Sequence, residues 1–97
     1  MRIREEDITT IKKITKEYFG SSAKVYLFGS RVNDQKKGGD IDLYIETDLK
    51  ENVFEQKLKM LGKLHKALGE QKIDIIINNF FNDKYIYHVA KSEGIRL

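Results

Sequence analysis

The chain has 97 residues, 40 % of them hydrophobic and 34 % charged. That balance is ordinary for a globular protein, and the length suits one domain over residues 1–97 with no separate substrate-binding domain. Eighteen basic and fifteen acidic residues give +3, a weak hint of an anionic ligand. There is no cysteine, which excludes disulfides and thiolate metal sites and fits a cytoplasmic location. The densest apolar runs, Val25–Phe28 and Ile75–Ile77, fall far short of the ~20 residues that cross a bilayer, so no membrane role is expected. Arg2, Arg4, Glu5, Glu6 and Asp7 have no apolar block behind them and do not read as a signal peptide.

In chain order, Glu5 to Phe19 reads as a helix, with Ile8, Ile11, Ile14 and Tyr18 at steps of three and four forming one stripe. Gly20-Ser21-Ser22 ends it. Ala23 to Phe28 is β-rich and stops at Gly29-Ser30. Arg31 to Gly39 is polar, a loop that a helical turn would open. Asp40 to Glu46 alternates: Ile41, Leu43 and Ile45 take one face, and Asp40, Asp42, Tyr44 and Glu46 the other. Asn52 to Leu68 reads as a second helix with Phe54, Leu58, Leu61, Leu64 and Leu68 as its stripe, and Gly69 is placed to cap it. Lys72 to Asn78 is a third strand, with Ile73, Ile75 and Ile77 opposite Asp74 and Ile76. Asn82 to Glu93 is a weaker helix, and Ile95-Arg96-Leu97 a terminal strand or tail. The fold class expected is α/β (α+β): a small mixed sheet with helices packed on one face.

Three aspartates sit where a core strand normally avoids them. Asp40 and Asp42 leave the same face of one strand, and Asp74 lies between Ile73 and Ile75 on another. A carboxylate inside a hydrophobic strand is costly unless solvated, paired or bound to a cation. Neighbouring carboxylates also repel and raise one pKa. A divalent ion removes both penalties, and hard cations such as Mg²⁺ take such oxygens together with substrate phosphates. Gly29-Ser30 lets backbone approach a ligand closely. A helical turn opening there would offer N–H groups to phosphate, and Arg31, Lys36 and Lys37 add positive charge. A phosphate cradle beside a carboxylate metal site suits phosphoryl or nucleotidyl transfer.

Phe28-Gly29-Ser30-Arg31 followed by Gly39-Asp40-Ile41-Asp42-Leu43 resembles the signature of the DNA polymerase β-like nucleotidyltransferases. More narrowly it is similar to their minimal stand-alone form, the MNT proteins, often antitoxins paired with HEPN-domain toxins. The resemblance implies the polymerase β-like nucleotidyltransferase fold. It implies that Gly29 and Ser30, with Arg31, bind nucleotide. It further implies that Asp40 and Asp42 hold metal, and that Asp74 is the third carboxylate, assisting deprotonation of the acceptor hydroxyl. It implies ATP, Mg²⁺ and transfer of AMP to a tyrosine of the toxin. The chain departs from the pattern in two places. Nine residues, Arg31 to Gly39, separate Ser30 from Asp40, a shorter loop than in many members. Asn33 stands where many members have a second arginine, so Lys36 or Lys37 would have to compensate.

Two other readings fit the same residues: an inactive nucleotidyltransferase-fold module that neutralises a toxin by binding alone, and an enzyme acting on RNA or a small molecule such as an aminoglycoside. His65 and His88 have no spaced ligand partner, and Tyr85 and Tyr87 read as packing or surface residues. Lys57, Lys59, Lys63 and Lys66 are the solvated side of an amphipathic helix. The absence of interleaved aromatics there speaks against a nucleic-acid surface. A homo-oligomer is compatible with the sequence.

Overall fold

A computed structural model describes residues 3–32, 40–69 and 71–97. In chain order these form α1 (Glu5–Phe19), β1 (Lys24–Phe28), a 3-10 turn (Gly29–Val32), β2 (Ile41–Glu46), α2 (Val53–Leu68), β3 (Ile73–Asn78), α3 (Tyr85–Glu93) and β4 (Ile95–Arg96). The strands join in the order β3-β2-β1-β4. β1 is antiparallel to both β2 and β4, while β2 runs parallel to β3. Parallel neighbours need a crossover rather than a hairpin, and α2 supplies it. The sheet is therefore mixed, as expected, and the terminal Ile95-Arg96 is a strand rather than a tail.

The alternation in β2 and β3 decides the layers. Ile41, Leu43, Ile45, Ile73 and Ile75, with Val25 and Leu27 of β1, are buried in one cluster with Ile11, Ile14 and Phe19 of α1 and Met60, Leu64 and Leu68 of α2. Two buried hydroxyls are satisfied in this layer, one within α1 and one between the end of β2 and the end of α1. Thr15 Oγ1 donates to the Ile11 carbonyl at 2.7 Å, and Thr47 Oγ1, just after β2, donates to the Phe19 carbonyl at 2.7 Å. Acidic Glu5, Glu6 and Asp7 occupy the first turn of α1, where they complement the helix dipole. Gly69 closes α2 with its N–H on the His65 carbonyl at 3.1 Å.

α1 and α2 share one face of the sheet, as expected; α3 lies on the other. The reason is in the opposite parity of β1 and β2. Tyr26 and Tyr44 project there, and Tyr87 and Ala90 of α3 pack on them. The Tyr44 ring centroid lies 5.6 Å from that of Tyr26 and 5.9 Å from that of Tyr87, a tilted stack of the kind aromatic quadrupoles favour. α3 begins at Tyr85 rather than Asn82, and its buried residues are Tyr87 and Ala90, while Tyr85 is exposed.

The buried stripe of α2 also differs from the one the leucines suggest. Met60, Leu64 and Leu68 are buried, whereas Phe54 is 66 % and Leu58 53 % exposed. At ~100° per residue, Phe54 and Leu58 lie roughly 80° and 120° round the helix from Leu64. Among the described residues no helix is long and apolar enough to cross a membrane.

The two classes of leucine on α2 give a direct check. Leu64→Ala should cost about 2–5 kcal/mol, because it opens a cavity in the core. Leu58→Ala should stay within about 0.5 kcal/mol, as for exposed positions. Urea denaturation of both variants measures the difference; equal losses would place Leu58 in the core instead.

Candidate functional site

Parallel pairing places Asp42 of β2 directly opposite Asp74 of β3, both on the tyrosine face of the sheet. Asp40 sits immediately before β2. One carboxylate oxygen from each of Asp40, Asp42 and Asp74 can be chosen so that all three lie within 4.8 Å of one another. Asp74 is exposed and Asp40 and Asp42 are half-buried, so the group opens to solvent at the end of the sheet where β2 and β3 begin. Lys72 Nζ approaches Asp40 Oδ2 at 3.5 Å, and the Lys72 carbonyl accepts the Ile41 N–H at 2.9 Å, which fixes that end of β3 against β2.

β1 brings the turn to the same place. Phe28 pairs with Asp42 across the antiparallel ladder, so Gly29 follows directly beside the carboxylate. Gly29 has φ +78°, and a Cβ built there would run into the Asp42 carboxyl, with Asp42 Cγ at 3.2 Å. Glycine at this position thus serves two demands at once: a left-handed backbone and room for Asp42. Gly29, Ser30 and Arg31 all belong to the 3-10 turn. The side chains of Ser30 and Arg31, and residues Asn33, Lys36, Lys37 and Gly39, lie outside the described residues.

Electrostatics follow from the crowding. Partial burial pushes the Asp42 carboxyl above its ordinary value; the charges of Asp74 and Asp40 and a hydrogen bond with Asp74 add to the rise, and Lys72 opposes it. The donor set is all carboxylate oxygen, adjacent and only partly compensated by Lys72, which fits a hard divalent cation.

Farther along the same face lies a second polar group that the sequence pattern only half revealed. Buried Tyr44 donates its phenol to Glu46 Oε2 at 3.0 Å and accepts from Asn78 Nδ2 at 3.0 Å. Lys91 of α3 reaches Glu46 Oε2 at 3.2 Å. Burial, with Glu46 beside it, pushes the Tyr44 phenol up to about 12. Alternation puts Tyr44 and Glu46 on the face of Asp42, but Asn78 and Lys91 join them only through the β2–β3 register and the docking of α3. His65 is exposed on α2. His88 pairs its Nε2 with Asp83 Oδ1 at 2.6 Å; neither histidine belongs to the carboxylate group.

Because its folded-state pKa is raised, Asp42 favours the fold while protonated and opposes it once ionised. Asp42→Asn should therefore raise the melting temperature at pH 7 in the presence of chelator. The gain should shrink as pH falls below the ordinary carboxylate range, where the wild-type group is protonated in both states. Thermal melts from pH 3 to pH 8 test the sign; a loss of stability at pH 7 would contradict it.

No curated protein matches the chain at a significant level. A family model described as a nucleotidyltransferase domain does match, over residues 8–97. That span holds β1 to β4, the turn at Gly29 and the three aspartates, so the match and the geometry concern the same part of the molecule. The chain belongs to the nucleotidyltransferase domain family.

Proposed function

We propose that this protein is a Mg²⁺-dependent nucleotidyltransferase that moves AMP from ATP to a tyrosine hydroxyl of a HEPN-domain toxin and so acts as its antitoxin. The observation that supports transfer most directly is the meeting of Asp40, Asp42 and Asp74 beside the Gly29 turn in a member of a nucleotidyl-transferring family. The toxin and the tyrosine rest on the resemblance of Gly29-Ser30 and Asp40-Ile41-Asp42 to the minimal nucleotidyltransferases.

In this reading Asp40, Asp42 and Asp74 hold the divalent cation, which when bound supplies charge neutralisation for the phosphates and acidifies a nearby hydroxyl. Gly29 and Ser30, with Arg31, receive the nucleotide. The acceptor oxygen forms a bond to the α-phosphorus, the bond from that phosphorus to its bridging oxygen breaks, and pyrophosphate leaves with the electron pair. Asp74, the most exposed carboxylate of the three, takes the hydroxyl proton. The acceptor must be held in line, about 3–3.5 Å from phosphorus. A small fold with an open carboxylate group suits an acceptor that brings its own scaffold, which a folded protein does.

Mg²⁺ with ATP should raise the melting temperature by mass action. Gly29→Ala should remove that rise, since the new Cβ displaces Asp42, and should cost roughly 1–3 kcal/mol of stability for the strained φ. With α-labelled ATP and Mg²⁺, label should appear on the HEPN protein as AMP–tyrosine and vanish with Asp40→Asn. Label on tRNA or an aminoglycoside instead would change the acceptor. Neutralisation of the toxin by a complex without label would favour a binding module.

A further inference from the structure

A cavity of about 540 Å³ opens on the same sheet face as the aspartates, at the opposite ends of β2 and β3. Glu46, Phe80, Phe81, Asp83, His88 and Lys91 are among its lining residues. Glu46 is only 7 % exposed. Its Oε2 takes the Tyr44 hydroxyl and Lys91 Nζ, while its Oε1 has no hydrogen-bond partner among the described residues. A buried carboxylate oxygen without a donor is costly. The neighbouring amide does not serve it: Asn78 Nδ2 donates to Tyr44 and makes no hydrogen bond to Glu46, and Asn78 Oδ1 accepts the Phe80 N–H at 2.9 Å. Among the described residues the cavity therefore presents an unmet acceptor, which selects a ligand that donates hydrogen bonds.

The rim narrows the ligand further. Phe80 and Phe81 are 60 % and 68 % exposed, and they already attract one cation: Lys50 Nζ lies 5.9 Å and 5.5 Å from their ring centroids. Phe80 holds a left-handed backbone, φ 65°, rare for a bulky residue and secured here by its N–H on Asn78. Asp83 adds a second carboxylate beside His88. An acid with a free oxygen, aromatic faces and a second acid together match a cation with N–H donors.

We propose that this cavity binds an alkylammonium or guanidinium group, with Glu46 Oε1 as its principal acceptor. Asp42 and Glu46 are four residues apart on β2, about 13 Å at the strand rise. One acceptor molecule can therefore reach both places, presenting its hydroxyl at Asp74 and its cation at Glu46. That use rests on the transfer reading; the binding itself does not. The same chemistry comes from a free polyamine or from a lysine or arginine side chain of the acceptor protein.

Calorimetric titration with spermidine, agmatine and N-acetyl-arginine methylamide, at constant ionic strength, tests the site. Saturable binding is expected. Glu46→Gln should weaken it at least tenfold, and Lys91→Met should strengthen it severalfold by removing the resident cation. A melt of each variant shows whether it is folded, and Lys91→Met remains decisive if Glu46→Gln is not. Preference for spermidine identifies a free polyamine, and preference for the capped arginine identifies a protein side chain. No saturable binding, unchanged affinity in folded Glu46→Gln, or weaker binding in Lys91→Met overturns the proposal. The Mg²⁺–ATP thermal shift of the wild-type protein is read separately, so failure of the cation site and failure of the transfer reading are distinguishable.

Discussion

Two carboxylates are held side by side by the backbone ladder of β2 and β3, and much else in the molecule answers to that. Asp42 faces Asp74 because Ile41 pairs with Ile73 and Leu43 with Ile75. A slip of one residue would turn the isoleucines of β3 to the tyrosine face and send Asp74 into the core beneath α2. Burial of Ile73 and Ile75 thus excludes such a slip and keeps Asp74 on the face of Asp42, and the observed register sets the two carboxylates opposite each other. The hydrophobic layer on one side of the sheet maintains an unfavourable electrostatic arrangement on the other.

That arrangement is tolerated because it sits at an open end of the sheet. Asp74 stays exposed, Lys72 answers Asp40, and Gly29 leaves the space that Asp42 occupies. Asp42, raised by burial and by two neighbouring carboxylates, is a group whose repulsion a cation would relieve. The same three residues thus hold crowded like charge at a cost to the fold, an arrangement common at functional sites.

α3 divides the tyrosine face into two regions. Its Tyr87 and Ala90 cover Tyr26 and Tyr44 in the middle. The aspartates remain open at one end of β2 and β3, and the polar network of Tyr44, Glu46, Asn78 and Lys91 at the other. The first region gathers three carboxylates whose oxygens suit a divalent cation. The second presents a carboxylate directly. One sheet face thus carries two acidic regions, with a packed aromatic layer between them.

The sequence by itself determined the elements and the chemical types. Period-two alternation marked β2 and β3, and three- and four-residue spacing marked α1 and α2. Asp40, Asp42 and Asp74 stood out because carboxylates in apolar strands demand a reason. These are local properties, legible from neighbouring residues alone. Tertiary structure decided what depends on distant partners. Phe54 and Leu58 carry the same side-chain chemistry as buried positions, yet the seating of α2 turns them outward. α3 crossed to the second face because only there do Tyr26 and Tyr44 await a cover. Gly29 belongs to Asp42 because β1 runs antiparallel to β2, and Asn78 and Lys91 meet Glu46 through strand register and helix docking. Each of these joins residues far apart in the chain, and no local pattern records which of many possible partners the packed core will select.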